Sequence, residues 1–124
     1  MPTIIHHTLI CTGYEDHIKS LHKIATELVH NTKLGKSCGC SVSNITPSFW
    51  NGYSTFMIGP DGSRGQTLNL LTIFLQKYVY PISDSMNDNE CAIDFVLIEY
   101  GEANRAKIVA DHITHNELMR QLKP

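Results

Sequence analysis

The pattern that most limits the fold lies near the C-terminus. Ala92 to Tyr100 is a run of β-formers, and Ala106 to Ala110 alternates Ala106, Ile108 and Ala110 with Lys107 and Val109. Only Gly101-Glu102-Ala103-Asn104 separates the two runs. Strands joined by so short a link pair antiparallel as a hairpin. Thr3 to Cys11 and Tyr53 to Ile58 also read as strands, and Ser37 to Ile45 is a weaker candidate made of small residues.

Three Ser/Thr-x-x-Glu/Gln boxes punctuate the chain: Thr12 to Glu15, Ser63 to Gln66 and Thr114 to Glu117. Each can satisfy two orphan amides at a helix start, so a helix is expected after each. In the first, Ile18, Leu21, Ala25, Leu28 and Val29 form one apolar stripe suited to lying across a sheet. The second, about Gln66 to Tyr78, is apolar on most of its circumference through Leu70, Leu71, Phe74 and Leu75, which points to a subunit contact. The third, about His115 to Leu122, is short and has only Leu118, Met119 and Leu122 to dock it. Tyr80 to Glu90, rich in Ser, Asp and Asn, reads as a loop. The expected architecture is α+β: one domain, residues 1–124, with a mostly antiparallel β-sheet, two main helices packed on it and a short C-terminal helix.

Ten Lys and Arg stand against twelve Asp and Glu in 124 residues, which leaves no broad basic face for duplex nucleic acid. No run is apolar and long enough to span a membrane, and the start Met1-Pro2-Thr3-Ile4-Ile5-His6 lacks the pattern of a secretory leader, so a cytoplasmic setting is expected. There Cys11, Cys38, Cys40 and Cys91 are reduced. Cys38-Gly39-Cys40 has no second clean pair, so the expectation is no metal and no cofactor.

The segment Asn51 to Gly65 carries the first candidate site. A strand there runs through the glycine-rich Gly59-Pro60-Asp61-Gly62 turn towards a helix start beside Arg64. Backbone amides and a helix terminus converging near an arginine suit a phosphate, although the same residues serve any tight turn. Phe49, Trp50, Tyr53 and Phe56 precede it; Tyr53 and Phe56 share a strand with the core, which leaves Trp50 as the candidate for stacking a base. Arg105 and Lys107, after the hairpin link that ends in Asn104, are further cations within reach of an anion.

A catalytic alternative rests on His6-His7-Thr8 and His112-Ile113-Thr114. Each contains His-x-Thr, the pattern of two-histidine phosphoesterases that cleave cyclic or 2′,5′ phosphodiesters with one imidazole as base and the other as acid. With seven His and ten Thr, roughly half a match arises by chance. The chemistry also requires both pairs to face one cavity.

The phrases Ile5-His6-His7-Thr8-Leu9-Ile10, Gly52-Tyr53-Ser54-Thr55-Phe56, Pro60-Asp61-Gly62-Ser63 and Val96-Leu97-Ile98-Glu99-Tyr100-Gly101, with Lys107-Ile108-Val109, span almost the whole chain. Together they resemble the first-described family of anti-Thoeris proteins, encoded by phages and prophages of Gram-positive bacteria. The resemblance implies two helices on a β-sheet and an anti-defence function without catalysis. Such a protein sequesters a cyclic ADP-ribose isomer, the signal of a bacterial TIR enzyme, and in some members cyclic oligonucleotides. After Pro-Asp-Gly-Ser the family has an acidic, Trp-containing segment, where this chain has Arg64-Gly65-Gln66-Thr67. The expected ligand-binding residues are therefore Asp61, Gly62, Ser63, Tyr100 and Lys107 from the matched phrases, and Trp50, Arg64, Asn104 and Arg105 from their chemistry. The expected partners are a small cyclic nucleotide and further copies of the chain, as a dimer or higher homo-oligomer.

Overall fold

The structure, a computed structural model, describes residues 5–48, 52–62, 65–85, 93–101 and 105–122. Its sheet has six antiparallel strands: β1 (His6–Tyr14), β2 (Cys40–Val42), β3 (Thr46–Pro47), β4 (Tyr53–Pro60), β5 (Ile93–Tyr100) and β6 (Ala106–Asp111). The order across the sheet is β2-β4-β1-β5-β6, with β3 also pairing β4. The architecture is α+β, and the hairpin is present as β5–β6. Its register pairs Tyr100 with Ala106 and Glu99 with Lys107, and Val109 forms a bulge between Ile108 and Ala110.

Period-two burial divides the sheet into two faces. His7, Leu9, Cys11 and Gly13 of β1 are buried while the intervening residues are not, and β4 and β5 alternate likewise. The buried face meets α1 (Glu15–Asn31) through Ile18, Leu21, Ala25 and Val29, with Leu28 packed at the edge. This stripe and its placement across β1, β2 and β4 match the sequence expectation. Its cap does not. Thr12 stays in β1, bonding the Thr55 hydroxyl at 3.0 Å, and the helix starts at Glu15 with no side-chain cap. Glu15 and Asp16 in the first turn complement the helix dipole instead.

The weak strand candidate Ser37 to Ile45 is split. α2 (Lys33–Cys38) is capped by the Thr32 hydroxyl, which accepts the Gly35 N–H at 3.0 Å. Gly39 ends α2 in the left-handed conformation, φ 63°, and β2 follows.

α3 (Leu68–Phe74) begins later than the Ser63 to Gln66 box requires. The Thr67 hydroxyl, at the capping position, donates instead to the His7 carbonyl at 2.6 Å and ties the helix start to β1. α3 continues through a wider π-helical segment, Leu75–Val79, into α4 (Tyr80–Ser85), so the expected loop from Tyr80 is helical as far as Ser85. Residues 86–90 lie outside the described residues. Leu70, Leu71, Phe74, Leu75 and Val79 are all buried within the chain's own core, in one cluster with residues of β1, β4, β5 and α1. The inference of a subunit contact from this helix is thereby withdrawn, because α2 and β1 pack against it and the sheet supplies the surface that the helix alone seemed to lack.

α5 (His112–Leu122) starts three residues before the predicted His115. Its cap is Asp111, whose Oδ1 accepts the Thr114 N–H at 2.7 Å, so the third box also fails. His115 stacks on Tyr80, rings 4.0 Å apart and 9° from parallel, while Leu118 and Leu122 remain exposed. The bonds from Thr114 hold the Asp111 carboxyl below its ordinary range. A lowered folded pKa gives stability that is present above the unfolded value, near pH 4, and is lost as pH falls through the folded one. Asp111→Ala at neutral pH, or acidification of the parent, should speed amide exchange at Thr114 and His115 while the β1 amides stay protected. Unchanged exchange in Asp111→Ala would remove Asp111 as the cap. No helix among the described residues is long and apolar enough to cross a membrane.

Candidate functional site

The antiparallel pairings carry three chain segments to one end of the sheet. β1 begins there at His6, paired with Tyr100 of β5, which in turn pairs with Ala106 of β6. On the other side of β1, the pairing of Leu9 with Ile58 carries the Pro60-Asp61-Gly62 turn to the level of His6. Strand spacing sets Asp61 and Arg105 roughly 14 Å apart. Asp61, Gly62, Tyr100, Arg105 and Lys107 thus gather at this end, from segments nearly forty residues apart in sequence. Trp50, Ser63, Arg64 and Asn104 lie outside the described residues. Tyr53, which opens β4, is at the opposite end, paired with Tyr14.

The turn is built on the α2–β2 corner. The Asp61 N–H donates to the Gly39 carbonyl at 2.7 Å, and the Gln66 N–H donates to the Cys38 carbonyl at 2.9 Å. Gly65 sits so close that a Cβ there would lie 2.5 Å from the Gly39 oxygen and 2.8 Å from the Pro60 Cβ. Gly62 takes a positive φ of 95° with open space around it. The loop is therefore clamped at both ends, and the Asp61 and Gln66 amides are spent on the scaffold. The expectation that turn amides and a helix start converge on an anion is corrected in part: α3 begins past Gln66, and these two amides point inward.

Beneath the end lies a polar pair that sequence reasoning missed. His7 is buried and its Nε2 is 3.1 Å from Glu99 Oε1. Lys107 is opposite Glu99 on β6, so one row across three strands reads His7, Glu99, Lys107. The signal was present in the phrases His6-His7 and Glu99-Tyr100, but local sequence does not disclose which strands pair. Tyr100, 38% exposed, and the exposed Arg105 and Lys107 sit at this end, with Tyr100 and Lys107 on opposite faces of the sheet, because Lys107 pairs with Glu99 and side chains alternate along β5. The Gly101 N–H donates to the Arg105 carbonyl at 3.3 Å and closes the link across which Arg105 is presented.

The two His-x-Thr pairs are not brought together. His112 follows Asp111, which pairs with Val96, whereas His6 pairs with Tyr100; strand rise and spacing put the two histidines about 20 Å apart. His112 also opens a helix, its Nε2 lies 3.3 Å from Asp94 Oδ1, and the Thr114 amide belongs to the cap. One cavity cannot be lined by both pairs.

Cys11, Cys38 and Cys40 are buried free thiols. Burial pushes Cys11 up to about 12, and burial with the neighbouring Cys38 does the same for Cys40, so both stay protonated and poorly nucleophilic at neutral pH. Among the described residues no group of three or more His, Cys, Asp or Glu is placed to hold a metal ion.

The chain matches no family model, no curated protein and no solved structure.

Proposed function

We propose that this chain is a phage or prophage anti-defence protein, working in the host cytoplasm, that binds and sequesters a nucleotide second messenger without cleaving it. The messenger is a cyclic ADP-ribose isomer or a cyclic oligonucleotide. The observation that carries this reading is the gathering of Tyr100, Arg105, Lys107 and the clamped Asp61-Gly62 turn at one end of the sheet. Tyr100 offers a ring face to a base, Arg105 and Lys107 offer donors to phosphate, and Asp61 offers an acceptor to ribose hydroxyls. The resemblance to the anti-Thoeris family supports the ligand class. The separation of the two His-x-Thr pairs favours storage over cleavage, since the two-histidine mechanism needs both pairs in one pocket.

The test is incubation with cyclic ADP-ribose isomers and cyclic dinucleotides, heat denaturation, and chromatography of the supernatant. Depletion of free ligand followed by its intact release is the expected result; altered ligand means an enzyme, and no depletion sinks the reading. In a titration Arg105→Ala should weaken binding roughly ten- to a hundredfold, the equivalent of about 1.5 to 3 kcal/mol for a hydrogen bond to a charged group. His112→Ala, about 20 Å from the site, should bind as the parent does.

A further inference from the structure

We infer that Cys38 and Cys40 form an oxidisable dithiol, and that closing their disulfide loosens the Asp61-Gly62 turn. Cys38 ends α2, Cys40 opens β2, and only Gly39 stands between them, in the left-handed conformation that turns the chain back. Residues two apart around such a turn have Cα atoms roughly 5 to 7 Å from each other, within the span that a disulfide bridges. Their thiols already touch, the Cys40 S–H donating to the Cys38 sulfur. Both are free, and each keeps 7% of its surface open, whereas Cys11 is fully closed off in the core.

An oxidant of the peroxide class supplies the chemistry. The Cys38 sulfur, as its thiolate, attacks one peroxide oxygen; the O–O bond breaks, and the departing hydroxide takes up the proton that Cys38 released and leaves as water. Cys38 is then a sulfenic acid. The Cys40 sulfur attacks the Cys38 sulfur, the S–O bond breaks, and the hydroxyl leaves with the Cys40 proton as a second water. Two electrons pass from the pair of thiols to the peroxide. The order of attack follows from the hydrogen bond. Burial and the Cys38 sulfur push the Cys40 thiol up to about 12, so Cys40 loses its proton last and is the one placed to resolve. The helix end at Cys38 carries the negative pole of the dipole, which slows the first attack and suits a response to accumulated oxidant.

The same corner is the scaffold of the turn. The Gly39 carbonyl accepts the Asp61 N–H at 2.7 Å, the Cys38 carbonyl accepts the Gln66 N–H at 2.9 Å, and Cys40 pairs with Pro60 between β2 and β4. Both ends of the segment from Asp61 to Gln66 are therefore bonded to carbonyls that belong to the ring the disulfide closes. Closing so small a ring draws the end of α2 towards the start of β2 and turns those two carbonyls. The packing leaves no slack to absorb the turn, since a Cβ at Gly65 would lie 2.5 Å from the Gly39 oxygen.

The inference is independent of nucleotide binding and is tested without ligand. The folded protein is treated with millimolar hydrogen peroxide, digested with trypsin and mapped by mass. Peptide 37–64, which contains Cys38 and Cys40 and no other cysteine, should lose the mass of two hydrogens and resist alkylation until it is reduced, while Cys11 still alkylates after unfolding. In the oxidised protein the Asp61 and Gln66 amides should exchange hydrogen roughly tenfold faster or more, with β1 unchanged, and reduction should reverse the effect. Cys40→Ser should stop at a sulfenic acid on Cys38, captured by dimedone, and Cys38→Ser should give no adduct at Cys40. A peptide 37–64 that keeps both thiols, or that is oxidised only to sulfinic acid, overturns the proposal. So does a disulfide that joins one of this pair to Cys11 or Cys91 instead, or a Cys38–Cys40 disulfide that leaves exchange at Asp61 and Gln66 unchanged.

Discussion

Gly35→Ala is expected to be among the most damaging single substitutions in this chain. Gly35 is buried in α2, and a Cβ there would overlap the carbonyl oxygens of Leu28 and Val29 in the last turn of α1. Those atoms are backbone, fixed by the helix, so the clash cannot be relieved by turning a side chain; α2 must lift away. The Thr32 hydroxyl, which accepts the Gly35 N–H and donates to the Leu28 carbonyl at 2.5 Å, would be pulled out of place with it. The loss should be about 3 kcal/mol or more, the upper part of the overpacking range. For a domain of this size that lowers the melting temperature by on the order of 10 °C. Gly62→Ala is the contrast: nothing lies near its Cβ, and only the positive φ opposes the change, at about 1 kcal/mol. Melting curves of the two variants decide the matter. If Gly35→Ala is no worse than Gly62→Ala, the corner between α1 and α2 is not packed as described.

Phe74→Ala should cost about 3 to 5 kcal/mol, the usual loss for an aromatic ring removed from a closed core. Phe74 is fully buried in α3 and packs its ring 5.9 Å from that of Tyr78. Denaturant unfolding should show a lower midpoint with the transition still cooperative. The same experiment separates two views of this helix. As part of the chain's own core, Phe74 affects folding; as a subunit contact it would affect association first.

The candidate site was legible in pieces. Tyr100, Arg105 and Lys107 stand close together around one hairpin, and Asp61-Gly62 announces a turn, so each piece has a local signature. That they share one end of the sheet follows from β1 lying between β4 and β5, a pairing of segments far apart in sequence. The same long-range pairing separates His6 from His112, a distance that spacing in the sequence does not disclose.

The three capping boxes show where local rules give way. Thr12 is claimed by Thr55 across the sheet, Thr67 rather than Ser63 precedes α3 and bonds β1, and Asp111 takes the cap expected of Thr114. A capping box offers about 1 kcal/mol, which sheet pairing and core burial readily outweigh.

What the sequence determined alone was set by short-range periodicity. The stripe Ile18-Leu21-Ala25-Val29 made a helix with one buried face, and the alternation on either side of Gly101 to Asn104 made an antiparallel hairpin, hence the α+β class. Tertiary structure alone decided that the apolar helix through Leu70, Leu71 and Phe74 is core, and that Ile10 and Met57 lie on the sheet face turned away from that core. Periodicity states which side of an element avoids water, while the element that covers it is chosen by the packing of the whole chain.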